Sequence, residues 1–232
     1  MTPVTLPPAV RDDARVVEEL LADLGRIPPP GPPEPGDEGG GPAGEPERTP
    51  RVGNAVLAMT MFLAAETMLF AGLVGGFLVL RFGAQVWPPP FQPRLPVEVT
   101  GVNTLILLAS SLTLTRAVRA IRRDDQGGLT RGLGQTALLG AIFLAVQGYE
   151  WTRLVGFGLT VSSGAYGATF YTLIGAHGVH VLGALIWLST VLMAARRSRF
   201  TAPDHSPVVV CAMYWYFVVF LWPVLYGLVY LR

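Results

Sequence analysis

The chain has little of what a catalytic or redox centre draws on. It has one cysteine, three histidines and no lysine, since all 17 of its Lys+Arg residues are arginine. A lone Cys211 excludes an internal disulfide. Charge is scarce as well, at 14% of residues where a soluble domain carries roughly 25%, while 51% are hydrophobic and mean hydropathy is +0.45. That balance places the chain in the membrane class. No Gly-rich phosphate loop follows a strand and no Ser-His-Asp set is available, which excludes the hydrolase, kinase and dinucleotide-enzyme readings. The basic residues form short clusters beside apolar runs, a membrane-flanking pattern that gives no support to nucleic acid binding.

What the chain does have is unevenly spread. Residues 1–51 hold ten of the 16 acids against five arginines, together with 12 of the 20 prolines. The stretch "IPPPGPPEPGDEGGGPAGEPERTP" cannot bury enough apolar area to fold, so 27–50 reads as a disordered linker. Ahead of it, Val10, Val16, Val17, Leu20, Leu21 and Leu24 recur at helical spacing with Gly25 as a C-cap, the pattern of a short amphipathic helix. No signal peptide is expected, because the first apolar stretch follows this long charged lead. The division is therefore a tail over 1–51 and a membrane part over 52–232.

In the membrane part, 29 residues between Arg51 and Arg81 carry a single charge, Glu66, and about 20 apolar residues cross a bilayer. Further spans are expected at Val99–Thr115, Gly132–Tyr149, Ala168–Ala195 and Val208–Leu231, the second and third being short enough to call for an extra turn at either end. The fold class is all-α, a polytopic bundle of five transmembrane helices. Arg116, Arg119, Arg122, Arg123 and Arg131 flank the second loop and Arg196, Arg197 and Arg199 the fourth, against Arg81, Arg94, Arg153 and Arg232 on the other side. The positive-inside rule then puts the N-terminal tail in the cytoplasm and the C-terminus outside.

Four ionisable groups stand out. Glu66 lies midway along the first span, where a carboxyl is costly enough to need a proton path, an ion site or a buried partner. Gly72, Gly75 and Gly76 give the same helix a smooth face for close packing against a neighbour. His177 and His180, three residues apart in "YTLIGAHGVHVLGALIW", share a face of the fourth span. A closed metal site takes three or four ligands, and a bis-histidine haem needs its two on opposite faces of the porphyrin. Hydrogen bonding to carboxylates or backbone of neighbouring helices accounts for the pair better than a metal does. Glu150, at the end of the third span, either pairs with Arg153 one turn on or reaches a histidine of the fourth helix.

Taken together, these motifs resemble subunit III of the haem-copper respiratory oxidases. The Glu-bearing "LAAETMLFAGLVGGFLVLR", the outer loop "WPPP", the helix "LPVEVTGVNTLILLASSLTL", the Tyr-Glu-aromatic "QGYEW", the Gly-x-His-Gly-x-His of "GAHGVHVLGALIWL" and the closing "AMYWYFVVFLWPVLYGLVYL" follow the family in order over about 52–232. Two positions depart from it: Tyr216 and Val219 stand where the family's closing helix usually has His and Asp. Five spans match the family's shorter forms rather than the seven-span ones.

The resemblance implies a subunit of a bacterial cytoplasmic membrane complex with no redox cofactor of its own, packed beside catalytic subunit I with subunit II. Haem and copper would belong to the partner, phospholipid would lie in a cleft, and proton uptake would be kept intact during turnover. Three histidines cannot ligate the two haems and copper of an oxidase core. Glu66, Glu150, His177 and His180 then read as a polar intramembrane cluster at the lipid cleft, with Glu150 as the candidate carboxylate for the histidines. Rival readings are an accessory subunit of a nitric oxide reductase, an independent transporter or channel using Glu66, and a membrane haem protein. Against the transporter, no internal repeat or matched pair of Gly/Pro-broken helices is seen.

Overall fold

The computed structural model describes residues 51–90 and 96–231. The amphipathic helix and linker read from residues 10–50 lie outside the described residues. Five helices follow in order: α1 Arg51–Gly83, α2 Val97–Ile121, α3 Gln126–Gly156, α4 Ala165–Arg196 and α5 Ser206–Val229. All five are long and apolar enough to cross a membrane, and no strand occurs among the described residues.

The second and third spans gain the extra turns expected of them, because their apolar stripes run on past the charges. In α2, Ala117 and Ile121 are buried while the neighbouring Arg116 and Arg119 are exposed. In α3, Leu129 and Leu154 extend the buried stripe beyond both expected ends. A hydropathy reading stops at the first arginines, whereas the helix only has to turn them outward. Asp125 caps α3 by accepting a hydrogen bond from the Gly128 N–H at 2.8 Å, a common start signal.

Helices α2, α3, α4 and α5 close a ring in which each packs on two neighbours, and α1 leans on α4 and α5 only. The α2–α3 pair is the most extensive and the closest: a Cβ on Gly132 would lie 3.0 Å from both Cα and N of Ala117. Small residues of this kind let backbones approach where lipid is as apolar as the helix surface. The ring is filled by two tryptophans of α5, Trp215 and Trp222, both almost wholly buried. Each indole N–H donates to an α2 hydroxyl, Trp215 to Ser110 at 3.0 Å and Trp222 to Thr104 at 2.8 Å. Asn103 Nδ2 donates to the Phe143 carbonyl at 3.0 Å, joining α2 to α3. By contrast, α1 buries just three large apolar side chains among its described residues, Met59, Phe70 and Phe77.

The bundle's two ends differ. At the arginine-rich end, the α2–α3 turn is tied to the α4–α5 connection: Gln126 Nε2 donates to the Phe200 carbonyl and the Ala202 N–H donates to Asp124 Oδ1. At the other end, Arg81 donates to the Leu228 carbonyl at 2.6 Å, fastening the end of α1 to the end of α5.

Because the α2–α3 approach is backbone against backbone, Gly132→Ala is expected to lower stability by about 1–3 kcal/mol through overpacking. Gly72→Ala, where an added Cβ meets nothing within 4 Å, should be neutral or slightly stabilising through helix propensity. Denaturant unfolding of the purified chain in detergent compares the two directly.

Candidate functional site

One carboxylate and one imidazole meet inside the membrane-spanning region. Glu66, midway along α1, places Oε2 3.0 Å from Nε2 of His180 on α4. The other ring nitrogen, Nδ1, lies 2.7 Å from the Ala176 carbonyl. A carbonyl only accepts, so Nδ1 must carry a proton. One proton is then left for the 3.0 Å contact. It sits either on Glu66, leaving both groups neutral, or on Nε2, giving a carboxylate and an imidazolium. Both forms have zero net charge, and that explains how a carboxyl is tolerated at this depth. The two side chains are only 19% and 15% exposed for His180 and Glu66.

Aromatic rings wall the pair. Phe70, one turn after Glu66, presents its ring edge-on to His180 at 5.0 Å and to His177 at 6.4 Å between centroids. His177 turns away from Glu66 and stacks on Trp222 at 5.0 Å with 25° between planes. The i, i+3 spacing thus brings both histidines to one phenylalanine but sends them to different helices, because three residues of α-helix rotate by about 300° rather than a full turn.

Glu150 is buried and pairs with Arg153 along its own helix, Oε1 to Nη1 3.5 Å. The expectation that it supplies the histidines' carboxylate is corrected: Glu66 of α1 does so, at His180. Of the two readings of Glu150, the i, i+3 pair holds. A Cβ added at Gly72, Gly75 or Gly76 would meet nothing within 4 Å. The smooth face is therefore left uncovered by this chain, and the covered stripe of α1 follows Met59, Phe70 and Phe77.

Tyr216 hydroxyl bonds Thr115 Oγ1 of α2 at 2.8 Å, and Val219 is fully buried. These two substituted positions thus form an α5–α2 link and a piece of core. Sequence reasoning missed Thr104, Ser110 and the two tryptophans they hold. Their signal was present, since Trp215 and Trp222 are seven residues apart and so share a face. Among the described residues there is no group of three or more His, Cys, Asp or Glu that could hold a metal.

A double-mutant cycle on Glu66→Ala and His180→Ala should give a coupling of about 0.5–2 kcal/mol, the range of interhelical hydrogen bonds in membranes. Additive losses would mean that the contact contributes nothing.

Comparison with known proteins gives a consistent result. The sequence profile of the family Cytochrome c oxidase subunit III matches residues 46–232. Cytochrome c oxidase subunit 3 of Synechocystis sp. is 38% identical over 177 residues, covering 76% of this chain and 75% of that protein. Cytochrome c oxidase subunit 3 of Bacillus subtilis is 38% identical over 182 residues, covering 77% and 86%. A probable cytochrome c oxidase subunit 3 of Nocardia farcinica is 38% identical over 170 residues, covering 73% and 84%.

Proposed function

The chain belongs to the cytochrome c oxidase subunit III family, and from that premise we propose that it packs beside catalytic subunit I, with subunit II, in a bacterial cytoplasmic membrane. It is an accessory, non-catalytic subunit of a haem-copper oxidase and a multi-pass membrane protein. The nitric oxide reductase and independent-transporter readings find no support, since the relatives named above are cytochrome c oxidase subunits. Haem and copper are assigned to the partner subunit, as the family membership implies.

The observation that carries the reading is the Glu66–His180 pair. It joins the loosely buried α1 to the ring with no net charge, a positioning role rather than a catalytic one. A further support is the surface of α1, where Leu57, Met61, Met68 and Val79 are all exposed. In a bilayer such a face is covered by acyl chains or by another subunit. Bound phospholipid and the catalytic subunit are the occupants assigned to it, with lipid retention and the lifetime of the oxidase during turnover as the properties it serves. The arginines gathered around the α2–α3 and α4–α5 turns argue for that end facing the cytoplasm, the N-terminus with it.

The test is a gentle-detergent pull-down of the tagged full chain from its native membrane. A histidine-rich catalytic subunit and a haem spectrum should copurify, and the separated chain should be colourless. Recovery of the chain alone would contradict the assembly. In the assembled complex, Glu66→Ala should leave copurification intact, because alanine keeps the helix, yet lower phospholipid retention and speed inactivation during turnover by a factor of a few. Unchanged lipid content and lifetime would remove Glu66 from this role.

A further inference from the structure

Away from the Glu66–His180 contact, α3 and α4 do not close against each other. Between them lies a groove of about 220 Å3 whose wall includes Gly148 and Trp151 of α3, Gly175, His177 and Gly178 of α4, and Trp222 of α5 at its floor. It reaches the outside of the bundle, since the exposed Val179 and Leu182 also border it. At 1.5 Å per residue, Gly148 lies about 12 Å before the end of α3 and His177 about 18 Å into α4. The groove therefore lies along the membrane-spanning helices α3 and α4, toward the C-terminal end of α3.

Its walls are apolar except at Gln147, whose Nε2 donates to the Tyr230 hydroxyl at 3.1 Å, and at two residues whose polar atoms are unsatisfied. His177 is 1% exposed, and neither of its ring nitrogens has a hydrogen-bond partner in the chain. The Trp151 indole N–H, buried beside the same groove, has none either. Three orphaned polar atoms around one cavity are unusual, because a buried polar group without a partner loses roughly 1–3 kcal/mol. A neutral imidazole offers one donor and one acceptor, and the indole offers a donor. The two ring nitrogens point away from each other, so one head group reaches one of them; a hydroxyl or a protonated carboxyl can accept from the indole N–H and also donate to, or accept from, that nitrogen. The glycines keep the space open: a Cβ on Gly178 would come within 3.2 Å of the Trp151 ring, while one on Gly148 meets no protein atom within 4 Å.

We propose that the α3–α4 groove binds a single-chain, lipid-soluble amphiphile by its O–H-bearing head, with His177 and Trp151 as the groups that hold the head and the aromatic walls taking the adjoining carbons. The volume suits a head and a short run of chain; seven or so waters at about 30 Å3 each would fill it. This proposal does not rest on the oxidase assignment, and the experiment uses the chain without its partners.

The full chain carries five tryptophans, two of them in the groove, so a brominated ligand quenches their fluorescence at short range. Purified chain in detergent is titrated with 6-bromohexan-1-ol, with 6-bromohexanoic acid at pH values below and above its ionisation, and with 1-bromohexane, whose bromine stays within the groove when the head is held. Saturable quenching is expected with the alcohol or with the protonated acid, and which of the two saturates identifies the source of the head. Binding should weaken about tenfold or more in Gly148→Leu, which fills the space, and in His177→Phe, which keeps a ring on Trp222 but removes both nitrogens. Helical content and thermal midpoint, measured on each variant, establish that it is folded. Quenching that never saturates, that is equal for 1-bromohexane, or that is unchanged in both variants would overturn the proposal, and so would a groove that takes only water and no probe.

Discussion

A bilayer removes the force that assembles soluble bundles. Lipid tails are as apolar as the helix faces, so burying leucine against leucine gains little, and polar contacts and close packing decide which helices stay together. In this chain the contact that bears most on the arrangement is the single proton shared between Glu66 and His180. The Ala176 carbonyl fixes it by holding Nδ1. The pair is neutral whichever atom carries the proton, which lets it sit in hydrocarbon where a lone carboxylate would be expelled or neutralised. Without it, α1 would be held by three buried apolar side chains, the partly buried Leu73, Val74 and Leu78, the Phe62–Tyr214 ring contact and the Arg81 hydrogen bond at its far end.

The other four helices need no such device. Their ring closes through the α2–α3 backbone approach at Gly132 and through two indoles fastened to Thr104 and Ser110. Stability is thus graded from a tightly tied ring to a lightly tied outer helix, as local unfolding units generally are. That gradient suits an accessory subunit. The ring can keep its shape while α1 offers an apolar surface, with an uncovered glycine face, to lipid or to a larger neighbour. Tyr216 and Val219 belong to the ring's own economy, one bonding Thr115 and the other filling core.

Much of this was legible in the sequence. Five spans followed from length and hydropathy, and a mid-span glutamate and two histidines declared themselves by how rarely such groups occur in hydrocarbon. The ends of α2 and α3 ran past the first arginines because a helix hides charge by rotation, which a hydropathy window does not register. Pairing was harder. A spacing of three residues says that His177 and His180 share a face but not which helices that face meets, so Glu150, on the preceding span, was the candidate carboxylate rather than Glu66, which lies three spans earlier. The glycines are a related case: a smooth face permits close packing, but this chain does not supply the neighbour. Resemblance to a family supplied what single-chain physics leaves out, namely that the chain belongs to an oxidase complex.

The central claim is that the Glu66–His180 proton holds α1 to the ring. Spin labels at M68C on α1 and I186C on α4, in a full chain carrying Cys211→Ala and reconstituted in lipid nanodiscs, report that spacing by double electron–electron resonance. One narrow distance distribution is predicted for the otherwise native chain, and a clearly broadened or shifted one for both Glu66→Ala and His180→Ala. An unchanged narrow distribution in both variants would contradict the account and leave packing and Arg81 as the true fastening.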